Sequence, residues 1–287
     1  MTTVGSGSVV LPERDRAAQP AIDEAVDLLR GRTVAVLTGA GVSTDSGIPD
    51  YRGEGAPVRT PMTFQQFLAD ADYRRRYWAG SHLGWRTFST TEPNVGHRML
   101  AELEQAGVVN GIATQNVDGL HLRAGSRRVV DLHGSMDQVR CLECGQVYAR
   151  GGIAERIERE NPWLDDPGAV ELAPDGDVEV TDISRFVPPV CSVCGGVLKP
   201  DIVFFGEFVP TEKFAEAAAL VRSADALLIA GSSLVVNSGI RLLEQALRRR
   251  LPVVILNRGV TKGDGRATIK IDAGTSETLT ALRDRLV

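Results

Sequence analysis

Cysteine, lysine and aromatic residues are all scarce in this 287-residue chain. Aromatics make up 5%, and the four lysines (Lys199, Lys213, Lys262, Lys270) stand against 28 arginines, a bias from which nothing functional follows. Long apolar runs are missing too. The longest uncharged stretch, residues 226–240, contains Gly, Ser and Asn. It is shorter than the roughly 20 residues a membrane span needs, so no membrane partner is expected. No charge of one sign dominates: 37 acids against 32 bases leave −5, which offers no global attraction to nucleic acid or anionic lipid. Residues 1–20 lack the apolar stretch of a signal peptide, and their arginines alternate with Glu13 and Asp15, so a cytoplasmic location is expected. What is present is ordinary: 43% hydrophobic and 24% charged residues, the composition of a soluble globular protein. The length suits one large domain, or one domain with a lobe.

The four cysteines form two pairs, Cys141-x-x-Cys144 and Cys191-x-x-Cys194, with 46 residues between them, and a glycine follows each second cysteine. A two-residue gap lets both sulfurs face one ion, and two such knuckles complete a tetrahedral thiolate shell for structural zinc. Two disulfides are the alternative, which a reducing compartment disfavours, as are two redox dithiols, which would need reactive surroundings. Four thiolates leave no open position for substrate, so one Zn2+ holding structure is expected.

The rest of the chain alternates. Residues 22–29, 97–105, 212–221 and 240–249 have helical spacing, while 33–38, 108–114, 129–132, 226–230 and 252–256 read as short buried strands. The alternation predicts an α/β fold: a doubly wound, mostly parallel Rossmann-like sheet with ligands at the strands' C-terminal ends. A smaller zinc-binding lobe and a helical insertion interrupt it. After a loose tail at 1–17, the single domain at 18–287 divides into a large part (about 18–50, 94–136 and 201–287) and a small lobe. Residues 51–93 of the lobe should form short helices on long loops, and residues 137–200 the zinc module. Acids, prolines and glycines between 160 and 182 suggest a mobile excursion.

Directly after the first strand comes Gly39-Ala40-Gly41-Val42-Ser43-Thr44. Small residues there let the backbone approach a pyrophosphate, and amide groups at a helix N-terminus are expected to receive its charge. As a bare G-x-G pattern it is weak: Thr44 stands where a third glycine is wanted, and a tight structural turn explains it equally well.

The longer run 39–53 resembles the signature of the sirtuins, the NAD-dependent protein deacylases. The resemblance continues through residues 114–118 (Thr-Gln-Asn-Val-Asp), 132–134 (Leu-His-Gly), the four-cysteine module, 199–207, 231–234 (Gly-Ser-Ser-Leu) and 256–257. Tyr77-Trp78, Gly84-Trp85 and the wide spacing of the knuckles look like the class II branch. The resemblance implies NAD as cofactor and an acyl-lysine protein or peptide as partner. It implies cofactor contacts from Gly39, Ala40, Gly41, Thr44, Ile48, Asp50, Tyr51 and Arg52, with Ile48 and Asp118 beside the nicotinamide. Gln115 and Asn116 would reach ribose hydroxyls or an ordered water. Gly231, Ser232 and Ser233 would approach the phosphates or adenosine, Asn257 and Gly259 the adenosine ribose, and Thr275 the adenine. His133 is the expected catalyst together with Asn116. The acyl oxygen attacks ribose C1′ as nicotinamide leaves, and His133 then deprotonates a ribose hydroxyl, as an imidazole titrating near neutrality can. Val203, Phe204, Phe205 and Gly206 would pair with substrate as a strand and wall the acyl-lysine tunnel with Tyr77. His82 and His97 are expected to be structural, and His121 to belong to a helical turn at 117–122.

One departure matters. Class II members that remove acidic acyl groups carry an arginine three residues after the tyrosine; here Tyr77 is followed by Trp78, Ala79 and Gly80. The charge-paired hydrogen bond to a distal carboxylate is therefore missing, unless Arg74, Arg75, Arg76 or Arg86 substitutes. Acetyl or longer apolar acyl groups are expected over succinyl. The competing functions are mono-ADP-ribosyl transfer at the same NAD site and a non-catalytic NAD-binding adaptor. Nucleic-acid binding through the knuckles is disfavoured by the acidic stretch at 155–182. A monomer is the expected state.

Overall fold

The computed structural model describes residues 12–51, 61–164, 174 and 183–287. In chain order its elements are α1 (Gln19–Leu29), β1 (Val34–Thr38), α2 (Phe64–Ala69), α3 (Ala71–Thr90), α4 (Val95–Gln105), β2 (Val109–Thr114), α5 (Leu120–Arg123), β3 (Val129–Asp131) and β4 (Gly134–Cys141). Then follow β5 (Val147–Ala149), α6 (Arg150–Glu160), β6 (Leu198–Ile202), α7 (Thr211–Arg222), β7 (Ala226–Ala230), α8 (Asn237–Arg248), β8 (Val253–Leu256), β9 (Ile269–Ile271) and α9 (Thr275–Leu286).

Six strands form one parallel sheet in the order β3-β2-β1-β7-β8-β9. Its central strands are buried at every position, as a sheet covered on both faces requires. Side chains alternate across it. Val34 and Val36 join a core with α1, α4 and α9 through Ile22, Leu100 and Leu279, whereas Ala35 and Leu37 join a core with α7 and α8 through Phe214 and Leu242. Strands β7 and β8 split the same way, with Leu228 and Val254 on one side and Leu227 and Ile255 on the other. This period of two builds a three-layer sandwich. The strand order reverses between β1 and β7, which places a crevice beyond their C-terminal ends.

A second, antiparallel sheet, β5-β4-β6, carries the cysteines and packs with α2, α3 and α6 around Phe67, Trp78, Ile153 and Phe204. Here the short helices expected over 51–93 are corrected. Past one six-residue helix, α2, the chain makes a single twenty-residue helix, α3. Both starts are well capped: Thr63 and Gln66 form a capping box, and the Asp70 carboxylate accepts from the Asp72 amide. The helix tolerates Gly80 and Gly84 because its middle, from Tyr77 to Gly84, is buried against the lobe. The expected excursion at 160–182 falls largely outside the described residues.

Candidate active site and metal centre

The glycine loop and the loop after β7 meet at the crevice and interlock. Gly39 donates its amide to the Ala230 carbonyl (3.1 Å) and Gly41 to the Gly231 carbonyl (2.9 Å). A Cβ on Gly39 would lie 2.8 Å from the Gly231 oxygen, and one on Gly41 would lie 2.9 Å from the Gly231 Cα. Gly231 itself has φ +62°, and a Cβ there would run into the Val42 amide nitrogen. These glycines thus serve the packing of one loop on another, whatever they offer a phosphate. No long helix opens here, in contrast to the expected helix N-terminus: Ala40–Val42 and Thr44–Ser46 are single 3₁₀ turns. Thr275, at the start of α9, donates to the Gly41 carbonyl (3.3 Å), and Ser276 donates to Asp45 (2.6 Å), closing the loop from the far side.

Beneath the loop lies a buried polar network. The Ser43 hydroxyl donates to Asp118 (2.7 Å) and accepts from the Asn116 amide (3.0 Å). Since the Asn116 Nδ2 faces Ser43, its Oδ1 is turned away from the network. Burial pushes the Asp118 carboxyl up from the usual range, against hydrogen bonds from the Leu120 amide and Ser43 that hold it down. Thr38 bonds both Thr114 and His121 at 2.8 Å, and the rings of His97 and His121 lie 4.8 Å apart. Ile48 is buried in the lobe's core. Tyr51 places its ring edge-on to Phe205 (5.9 Å), while Asp50 is half-buried and Arg52 lies outside the described residues.

His133 follows β3 and precedes Gly134, whose φ of +77° lets β4 cross tightly against Asp201. Its Nδ1 lies 2.9 Å from the Gln115 carbonyl, which can only accept. The proton is therefore on Nδ1, and Nε2 keeps its lone pair, the tautomer a base needs. Nε2 lies 2.9 Å from the Ser238 hydroxyl. Burial holds the imidazole below its ordinary pKa, with the Gln115 carbonyl opposing. The ring lines a cavity with Met62, Tyr77, Val117, Ile202, Val203, Phe204 and Phe205. Of the expected substrate residues, Gly206 does not line it; it sits at φ +79°, with Gln65 where a Cβ would go. Nor is 203–206 a regular strand: β6 ends at Ile202, and the segment is pinned by the Val203 amide to the His133 carbonyl (2.8 Å) and by a bridge from Phe205 to Thr63.

Farther along the crevice, Ser232 donates to Gln115 (2.6 Å), and the Ser233 carbonyl accepts from the Lys262 amide. Asn257 stands at the end of β8, with Gly259 at φ +71° just beyond. The sequence reading missed Ser43 and Ser238. Ser43 lay inside the glycine motif, where its hydroxyl could have been noticed; Ser238 carried no signal beyond its place four residues after Leu234.

The four cysteine sulfurs converge from the two knuckles, all within 4.8 Å of one another, with Cys141 and Cys194 at 3.5 Å and Cys144 and Cys191 at 3.7 Å. A tetrahedron with Zn–S bonds of about 2.3 Å puts its sulfurs about 3.8 Å apart, so the donor set fits one zinc ion. Gly145 and Gly195, both at φ +74°, close the knuckles by donating to the Cys141 and Cys191 carbonyls.

Comparison with known proteins agrees with this arrangement. The model of the Sir2 family matches residues 39–238. "NAD-dependent protein deacetylase 1" of Mycobacterium avium (strain 104) is 52% identical over 275 residues, covering 94% of this chain and 96% of that protein. "NAD-dependent protein lipoamidase sirtuin-4, mitochondrial" of Bos taurus is 45% identical over 262 residues, covering 88% and 82%. A solved structure of Sir2 with an inhibitor, 2′-O-acetyl-ADP-ribose and a deacetylated p53 peptide superposes with a TM-score of 0.69 at 29% identity, covering 90% of this chain and 96% of that one. With a family model spanning most of the chain and relatives this similar along nearly all of it, the chain belongs to the Sir2 family.

Proposed function

We propose that this chain is an NAD-dependent protein-lysine deacylase. The observation that carries the reading is His133: a neutral imidazole with its accepting nitrogen fixed by Gln115, lining an apolar cavity next to the switch-point crevice. The relatives' names point the same way, and one solved relative holds both a peptide and an acetylated ADP-ribose. Bound NAD would supply the ribose that receives the acyl group as nicotinamide departs, giving O-acyl-ADP-ribose.

In this reading the loops 39–48 and 231–234 hold the phosphates and ribose, with Asn257 and Gly259 at the adenosine end and Thr275 behind Gly41. Asn116, oriented through Ser43, presents its carbonyl oxygen to a ribose hydroxyl or a water. Phe204, Phe205, Val203 and Tyr77 exclude water around the acyl chain, and Nε2 of His133 takes the hydroxyl proton. One structural zinc holds the lobe, and a reducing cytoplasm suits its thiolates.

For the acyl group we favour acetyl or longer apolar chains over succinyl. Among the described residues no arginine or lysine lines the cavity. Of the four arginines near Tyr77, three are engaged elsewhere, Arg74 with the Phe67 and Leu68 carbonyls, Arg75 with Asp72 and Arg86 with Glu158, and Arg76 is exposed and outside the cavity lining. Arg150 is stacked 5.2 Å from both Trp78 and Trp85 and donates to the Ser81 carbonyl.

The test incubates the protein with NAD and acetyl-, fatty-acyl- and succinyl-lysine peptides, following nicotinamide and acyl loss by mass spectrometry. Acyl loss matched by O-acyl-ADP-ribose, and reduced at least about a hundredfold in a folded His133→Ala variant, is expected. Nicotinamide release with ADP-ribose on protein and no acyl loss would replace the reading with ADP-ribosyl transfer. Succinyl turnover equal to acetyl would overturn the acyl preference.

A further inference from the structure

His133 is gripped from both sides by one residue. The Gln115 carbonyl accepts the hydrogen bond from Nδ1 directly, and the Gln115 side chain reaches Nε2 through Ser238. Donor directions along this path follow from the atoms present. The Ser232 hydroxyl donates to Gln115 Oε1 at 2.6 Å, which fixes the amide so that its Nε2 hydrogens face Ser238, 3.4 Å away. The imidazole Nε2 has no proton, so at 2.9 Å the Ser238 hydroxyl must be the donor. Each donor points toward the imidazole, and aligned hydrogen bonds strengthen one another.

The placement is built into the fold. Ser238 is buried in the first turn of α8. Its neighbour Gly239 leaves room for the amide: a Cβ there would come within 3.2 Å of Gln115 Nε2. Ser232 stands two residues beyond the end of β7, in the loop that packs on Gly39. The path therefore runs from the floor of the crevice to the base.

A pyridine-type nitrogen has one in-plane lone pair and accepts one good hydrogen bond. We propose that Ser238 is a positioning residue for His133: its hydroxyl holds the accepting nitrogen, aimed and neutral, until the ribose hydroxyl of the substrate takes its place. When the exchange occurs, the ribose O–H bond breaks, its proton goes to Nε2, and Ser238 keeps its own. This rests on the deacylase reading, in which His133 acts only after nicotinamide has left.

That timing supplies the test. Wild type, Ser238→Ala and Ser238→Thr are compared in two assays: exchange of labelled nicotinamide into NAD with an acetyl-lysine peptide present, which reports the step before His133 acts, and deacetylation, which needs it. The alanine variant should deacetylate about tenfold more slowly while exchanging nicotinamide within about twofold of wild type, and the threonine variant should recover most of the loss. Loss of both activities together, unchanged deacetylation, or faster deacetylation would overturn the proposal. A second readout needs no activity. In the free protein, the 15N resonance of His133 Nε2 should move downfield in Ser238→Ala, toward a lone pair without a donor, and return in Ser238→Thr. An unmoved resonance would overturn the proposal even in an active enzyme. A moved resonance with no turnover by wild type would instead sink the deacylase reading while leaving the contact standing.

Discussion

At the scale of single residues, the chain's four histidines share a state for different reasons. His82, His97 and His121 are buried to within 1% of full exclusion, and burial draws them down to about 4, about 2 and about 4. His133 is held low by burial too, with a carbonyl working against it. His82, His97 and His121 should therefore gain no proton between pH 8 and pH 6, and His133 should titrate below an ordinary imidazole. For those three, imidazole proton shifts followed by NMR across that range are expected to stay flat; a full titration near 6.5 from any of them would contradict the buried network. His133 could be picked from the sequence because motif after motif surrounded it. The network could not: Thr38 meets a histidine 83 positions away, and Ser43 an aspartate 75 positions away. Such contacts exist only once β1, β2 and α5 have been brought together. Ser238 was hidden for the same reason, since a serine opening a helix ordinarily signals nothing but a helix start.

At the scale of elements, the strands were easiest to read. The runs at 34–38, 226–230 and 253–256 are apolar but for Thr38, because both faces of a covered parallel sheet are buried. The helix α3 was misread for an equally physical cause: Gly80, Gly84 and seven β-branched or aromatic residues lower its intrinsic propensity, and only packing against the lobe carries it through twenty residues. The strands of the three-stranded sheet are only partly buried, so its order should depend on metal. Stripping zinc with a chelator is expected to raise hydrogen exchange in Gly134–Cys141, Val147–Ala149 and Leu198–Ile202 by at least about tenfold. The six-stranded sheet should keep its protection. Because β4 leaves directly from His133, deacylation should fall with the same treatment. Equal loss of protection in both sheets would show the lobe to be inseparable from the rest.

For the whole molecule, the buried histidines set how stability responds to acid. In the unfolded chain an imidazole binds its proton near pH 6.5, whereas His82, His97 and His121 hold out to about 4 or lower when folded. Between those limits the unfolded state takes up more protons, so stability is fullest above 6.5 and falls as pH drops toward 4. Asp131 and Asp118 oppose this: burial raises the Asp131 carboxyl to about 6 and lifts that of Asp118 as well, so the folded state gains protons first there, offsetting part of the histidines' effect. The net expectation is a loss of roughly 2–4 kcal/mol from pH 7.5 to 5.5, read as a lower urea midpoint; an unchanged midpoint would contradict it. The interlocked glycine loops, the two cores and the reversal of strand order fit a single frame on which all this depends. The cysteine knuckles have a separate consequence for that frame. With their sulfurs all within 4.8 Å of one another, the backbone between them is a closed ring tied at one point. One ion at that point would act as a crosslink between chain segments 46 residues apart, lowering the entropy of the unfolded chain as a disulfide does and so fastening the ends of β4 and β6 to each other.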